Sequence, residues 1–281
     1  MMSLPEITRR PWGLWRRQAL AVARLDLRKC FLGKRLVVVY FLALLPILLM
    51  AARTLAHFLM GDPETLPVTV QKFAVLYQTA FLRFSLFFGC VAIFTNIFRG
   101  EVMEKTLHYY LLTPIRRSVL VVGKFLAGLG AAMVFFGFSF TVMFGISFLT
   151  LDGASIRNFF AGGTGPGHFI AYLAVTLLAC LGYGAVFTLT GTLFRNPVVP
   201  AFLFAGWESI HFLLPPLLKQ FTVIHYLRSL FPVSLPEGPL AVLADAPPLW
   251  LAGPGLALFV LLVLALATWR TRRLEVTYAG D

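Results

Sequence analysis

Glu208 and His211, one helical turn apart, are the first residues in this sequence that could do chemistry. A carboxylate and an imidazole at i and i+3 share a helix face and could grip a metal ion. Two ligands do not make a metal site, and no further His, Cys, Asp or Glu cluster accompanies them, so no metal is expected. Cys30, Cys90 and Cys180 show no C-x-x-C spacing, which excludes a sequence-evident zinc site or disulfide framework. Gly162-Gly163-Thr164-Gly165-Pro166-Gly167 has the glycines of a phosphate cradle but no following Lys, and reads as a flexible turn. Gly123-Lys124 is followed by Phe125 and lacks the upstream Gly of a Walker A sequence. With no H-E-x-x-H run and no Ser/His/Asp arrangement either, the chain is not expected to be an enzyme by itself or to carry a cofactor.

The elements that must position these residues are apolar. Hydrophobic residues make up 59% of the 281, charged residues 13%, and mean hydropathy is +0.83. A soluble domain carries about 25% charged residues, so much of this surface must face lipid. Six apolar runs approach the ~20 residues needed to cross a ~30 Å hydrocarbon core: 36–52, 73–98, 119–151, 169–194, 198–218 and 249–269. Backbone hydrogen bonding in lipid makes them helices, because the ~10-residue alternating segments of a barrel are missing. The expected fold is an all-α membrane protein, a six-transmembrane-helix bundle forming one transmembrane domain over 1–281.

Charge sets the orientation. The net charge is +12, and of 24 Lys and Arg, nine lie in 1–35, five in 99–124, one at Arg195 and three in 270–281. Six spans with both termini in the cytoplasm put all of these on the inner side, as the positive-inside tendency requires. A basic balance gathered on one membrane face argues against nucleic acid as a partner. Two ionisable residues fall inside spans, Arg83 in the second and Glu208 in the fifth, with His211 beyond it. Such residues should face protein or water. Arg83 and Glu208 could pair structurally, snorkel outward, or line a path and touch a substrate head group, and all three arrangements stay open.

Residues 8–33 read as an amphipathic interface helix. Arg10, Arg17, Arg24, Arg28 and Arg35 fall within about 20° of one line at 100° per residue. Trp12, Trp15, Ala19, Val22 and Ala23 occupy the other side. Tryptophans at the interface with arginines toward anionic lipid fit a helix lying in the headgroup layer, with membrane lipid as its partner. Between the last two runs, residues 219–248 are Pro-rich yet apolar and should form short pieces re-entering the outer leaflet. Residues 270–281 form a basic cytoplasmic tail.

The segment after the second run, from Arg99 to Arg117, reads as a short cytoplasmic amphipathic helix over 100–113, ended by Pro114. Glu101, Glu104 and Lys105 open it, where carboxylates suit the helix dipole, while Leu107, Tyr110 and Leu111 share a face. Arg116 and Arg117 reach headgroup level before the next span. This stretch resembles the ABC-2 permeases, the membrane subunits of ABC exporters. The shared pattern is Glu101, Glu104, Thr106, Leu107, Leu111, Leu112, Pro114, Ile115, Arg116 and then Gly123-Lys124, with Lys105 where many relatives have Gly. The layout resembles that family along the whole chain.

The resemblance implies a type V exporter-like architecture and a permease subunit that moves a substrate outward. Its helix over 100–113 would be the coupling helix, docking into a separate cytoplasmic ABC ATPase present in two copies, which binds the ATP and Mg. The helix at 8–33 would pack beside it, and a second permease subunit, as in a homodimer, would complete the path. Glu101 and Glu104 would anchor the two helices to each other, with Leu107, Tyr110 and Leu111 meeting the ATPase. An ion-coupled secondary transporter would show internal repeats and several buried acids, and a membrane-embedded enzyme a convergent polar cluster. Neither signature is seen. Three Asn, none in an Asn-x-Ser/Thr site, fit a bacterial inner-membrane protein.

Overall fold

A computed structural model describes residues 12–33, 37–61, 64–103, 116–194, 196, 198–233, 235 and 247–272. Every regular element among them is a helix. In order they are α1 (Trp12–Leu32), α2 (Val37–Met60), α3 (Leu66–Leu76), a π-helical stretch (Tyr77–Leu86), α4 (Phe87–Met103), α5 (Arg117–Ser147), α6 (Gly153–Arg157), a second, shorter π-helical stretch (Asn158–Gly162), α7 (Gly165–Leu193), α8 (Val198–Ser209), a 3₁₀ turn (His211–Leu213), α9 (Pro216–Lys219), α10 (Val223–Leu227), a 3₁₀ turn (Arg228–Leu230) and α11 (Leu249–Arg272). Among the described residues, five helices are long and apolar enough to cross a bilayer: Val37–Met60, Leu66–Ile97, Arg117–Ser147, Gly165–Leu193 and Leu249–Arg272. The second begins at Leu66 rather than Phe73, because Pro67 suits a first helical turn and the helix then runs unbroken through the π-helical stretch.

The run expected as an unbroken fifth span, 198–218, does not form one. α8 stops at Ser209 after 12 residues, about 18 Å at 1.5 Å per residue, too short for a ~30 Å core. A 3₁₀ turn at His211–Leu213, Pro215 and the short helices α9 and α10 follow. Two observations show which way the chain runs here. Phe144 meets Phe169 at 5.3 Å and Phe148 meets Phe159 at 5.0 Å, so α5 ends where α7 begins. Arg117 donates to the carbonyls of Thr271 and Arg272 at 3.2 and 2.9 Å, so α5 begins where α11 ends. Helices α7 and α11 therefore run in the same direction, and the chain must travel back between Leu193 and Leu249.

An aromatic centre holds the long helices together. Phe73, Tyr77 and Phe81 point inward to Phe136, Phe140, Phe144 and Tyr172. The Tyr77 hydroxyl is fully buried but satisfied, donating to the Tyr172 carbonyl and meeting the Thr176 hydroxyl, both at 2.9 Å. Phe94 wedges between α5 and α7, where a Cβ on Gly128 would come within 2.7 Å of its ring and one on Gly184 within 2.4 Å. These glycines thus serve close packing, as small residues do at helix interfaces in membranes. Other phenylalanines, Phe41, Phe58, Phe138 and Phe202 among them, are exposed on the bundle's flanks.

At the end away from α1, Glu64 joins α2 to α3. Its nearly buried carboxylate pairs with Arg53 and, at 2.7 Å, with Lys72. Burial raises its pKa, but hydrogen bonds from Lys72, Thr150 and Arg53 outweigh that and hold it down to about 2.

Candidate coupling junction and intramembrane polar site

The most concentrated chemistry among the described residues lies where α1 crosses the start of α5. The side of α1 opposite its arginines is Ala19, Val22, Asp26 and Cys30, spaced at i, i+3, i+7 and i+11 and all buried. Much of the stripe expected to meet lipid instead packs on protein. The approach is close because position 123 is glycine: a Cβ there would sit 2.8 Å from the Ala19 carbonyl oxygen and 2.9 Å from Val22 Cβ. One residue on, Lys124 donates to the Asp26 carboxylate at 2.9 Å, with both side chains out of solvent. Lys29 approaches the same carboxylate at 3.6 Å from the exposed side. A charge pair can be buried at such a depth only with this kind of direct partnering. Burial, with Asp26 adjacent, pushes the Cys30 thiol up to about 11, an unreactive state.

Further contacts extend the junction both ways. Arg116, the residue before α5, stacks over the Trp15 ring at 4.2 Å, and Trp12 packs edge-on against Trp15 at 5.2 Å. At the other end of α1, Phe31 and Tyr40 both pack on Phe135 of α5, and the Tyr40 hydroxyl donates to the Phe31 carbonyl at 2.9 Å. Arg17, Arg24 and Arg28 stay exposed, pointing away from the bundle.

The predicted coupling residues are placed unevenly. Glu101 lies in the last turn of α4. Glu104, Thr106, Leu107, Tyr110, Leu111 and Pro114 lie outside the described residues. The described ends on either side, Met103 of α4 and Arg116, bracket that segment, and Arg116 touches α1. Asp26 was missed in the sequence. The signal was a lone carboxylate on the apolar stripe of α1.

Within the bundle, Glu208 and Arg83 do not form an ion pair. Glu208 is buried and accepts from the Val223 backbone N–H at 2.7 Å, the Ile224 N–H at 3.4 Å and the Tyr183 hydroxyl at 3.3 Å. It serves as a cap for the broken chain: the N–H groups at the start of α10 have no preceding turn, and in a water-poor interior they need an acceptor. Val223 sits beside Gly182, 17 residues into α7, so this cap lies deep in the bundle. Arg83, in contrast, is exposed. His211 is buried near the same break, and no group of three or more potential metal ligands exists among the described residues.

Long apolar crossings, a helix latched across one end by a buried ion pair and an interrupted helix capped from within define a polytopic membrane protein. The family model described as ABC-2 family transporter protein matches residues 33–205, more than half of the chain, and the protein belongs to that family. No curated protein matches the sequence. It is accordingly a membrane component of an ABC transporter, a family membership that implies an ABC ATPase partner.

Proposed function

We propose that this chain is the permease subunit of an exporter in which two copies of it and two ATPase subunits form the working unit. ATP and Mg bind in the ATPase, and substrate passes outward without covalent change. The observation that carries this reading is the Asp26–Lys124 latch with Trp15–Arg116 beside it. It makes α1 and the start of α5 one body at the mouth of residues 104–115, the segment assigned to ATPase docking. A push delivered there would reach α5 without being lost in a flexible linker.

The reading also takes the membrane to be a bacterial inner membrane, with both termini and the α1 end of the bundle cytoplasmic. The sixth crossing is α8 together with the re-entrant pieces up to Pro248. Support comes from the shared direction of α7 and α11, which demands a return between them, and from the basic residues on α1 and at Arg116, Arg117, Arg270 and Arg272. Arg17, Arg24 and Arg28 face headgroups or the ATPase surface rather than the bundle.

The test is recovery of a partner from native cells. The solubilised chain should bring down a soluble ATPase, and changing Leu107, Tyr110 and Leu111 to Asp should abolish this while leaving the permease folded. An intact chain that recovers no ATPase would overturn the docking assignment.

A further inference from the structure

Arg83 is an exposed cation close to the middle of a membrane helix. It lies 17 residues after Leu66 and 14 before Ile97, about 21 Å from the nearer end of that helix at 1.5 Å per residue. At ~48 Å the apolar helix is longer than the ~30 Å core, and wherever the core lies along it this position stays inside the hydrocarbon. A guanidinium facing hydrocarbon at such depth is unfavourable and requires water or an anion.

The chain itself has little to offer. Arg83 forms no ion pair with any described residue, and Glu208, within its electrostatic reach, is committed to Val223, Ile224 and Tyr183. The other described acids offer no substitute. Asp26 and Glu101 belong to the α1 end, and Glu64 and Asp152 to the opposite end. The others, Glu6, Asp62, Glu104, Glu237, Asp245, Glu275 and Asp281, lie in sequence outside the five long apolar helices.

The surroundings are those of an amphiphile site. Phe84, next to Arg83, is exposed and packs on Phe88 at 5.2 Å, and Phe88 meets the exposed Phe202 of α8 at 5.5 Å. Arg83 also stands within the π-helical stretch Tyr77–Leu86, an irregularity found often at functional sites. Resting on the transporter reading above, we propose that Arg83 with the aromatic face of Phe84, Phe88 and Phe202 forms a water-accessible position that takes the anionic head of an amphipathic substrate.

Thiol labelling tests this without needing transport or the ATPase. Thr79, one turn before Arg83 and also exposed, is replaced by Cys in the full chain in phosphatidylcholine proteoliposomes. The native chain, whose three cysteines are all buried, gives the background. Rates with an anionic and a cationic methanethiosulfonate are normalised to those of a small free thiol. The anionic reagent should be favoured at least tenfold; adding Arg83→Gln should bring the ratio toward one, and Arg83→Lys should keep it.

No labelling by either reagent would mean that the face is lipid-covered, and a ratio unchanged by Arg83→Gln would mean that its charge is neutralised. Either overturns the proposal. Slower anionic labelling on adding phosphatidylglycerol identifies a lipid head as the ligand, and slower labelling with inorganic phosphate a soluble anion. No slowing by either removes the ligand. Because the ATPase pull-down is separate, failure here with the ATPase recovered would remove the Arg83 assignment alone.

Discussion

The Lys124 ammonium of α5 lies 2.9 Å from the Asp26 carboxylate of α1, both shut away from solvent. Removing one member leaves the other charge buried without its partner, which costs about 3–5 kcal/mol, whereas apolar replacement of both is close to neutral. Asp26→Ala should therefore lower the thermal midpoint of the purified chain sharply, and Asp26→Leu with Lys124→Met should recover most of it. A double variant no better than the single one would show that the pair is not the tie.

The glycine before that lysine should be equally intolerant. Gly123→Ala places a methyl against the Ala19 carbonyl and Val22, so α1 must lift off, at about 1–3 kcal/mol for an overpacked contact. Faster amide exchange along α1 would register this. Gly137→Ala in the same helix meets nothing within 4 Å and should leave exchange unchanged.

Glu208 is expected to act through the backbone it caps. Glu208→Ala strands the Val223 and Ile224 N–H groups, each unsatisfied donor costing about 1–3 kcal/mol. Glu208→Gln keeps one carbonyl acceptor and should be milder in thermal unfolding. Equal stability of Glu208→Ala and the native chain would refute the capping role.

Acid should weaken the end of the bundle opposite α1. The Glu64 carboxyl has a pKa lowered from 4.5 to about 2, so the unfolded chain takes up its proton first as pH falls. Its stabilising contribution is complete above about 4.5 and disappears as pH drops from there to about 2. Glu64→Gln should lower the unfolding midpoint at neutral pH and flatten its pH dependence within that window, so that the two chains converge near pH 2.

The helical class, most of the spans and the amphipathic α1 were legible because they depend on the length and period of apolar residues. What escaped depends on partners distant in sequence. Lys124 looked like a charge at the membrane surface, since nothing local announces that Asp26, 98 residues earlier, will meet it. For Glu208 pairing with Arg83, snorkelling and lining a path all stayed open, and capping was not among them, because side chains were weighed against each other and not against the amides of a broken helix. The run 198–218 was apolar enough to span, but its helix ends at Ser209, and Pro215 and Pro216 keep it from resuming in register. The π-helical stretch has no composition of its own, and residues 104–115, where the coupling residues cluster, lie outside the described structure.

That stretch, Tyr77–Leu86, has a bearing on how relatives should be compared. A π turn holds one residue more than regular winding needs. A relative could lose a residue between 77 and 86 and still cross the bilayer on an ordinary α-helix. The segments on either side would keep their relative direction, because the residue removed is the surplus one, and only the side chains within the stretch would be re-aimed. A one-residue gap here would thus be a re-aiming event in descent, leaving the aromatic centre in place while presenting a different residue where Arg83 now stands.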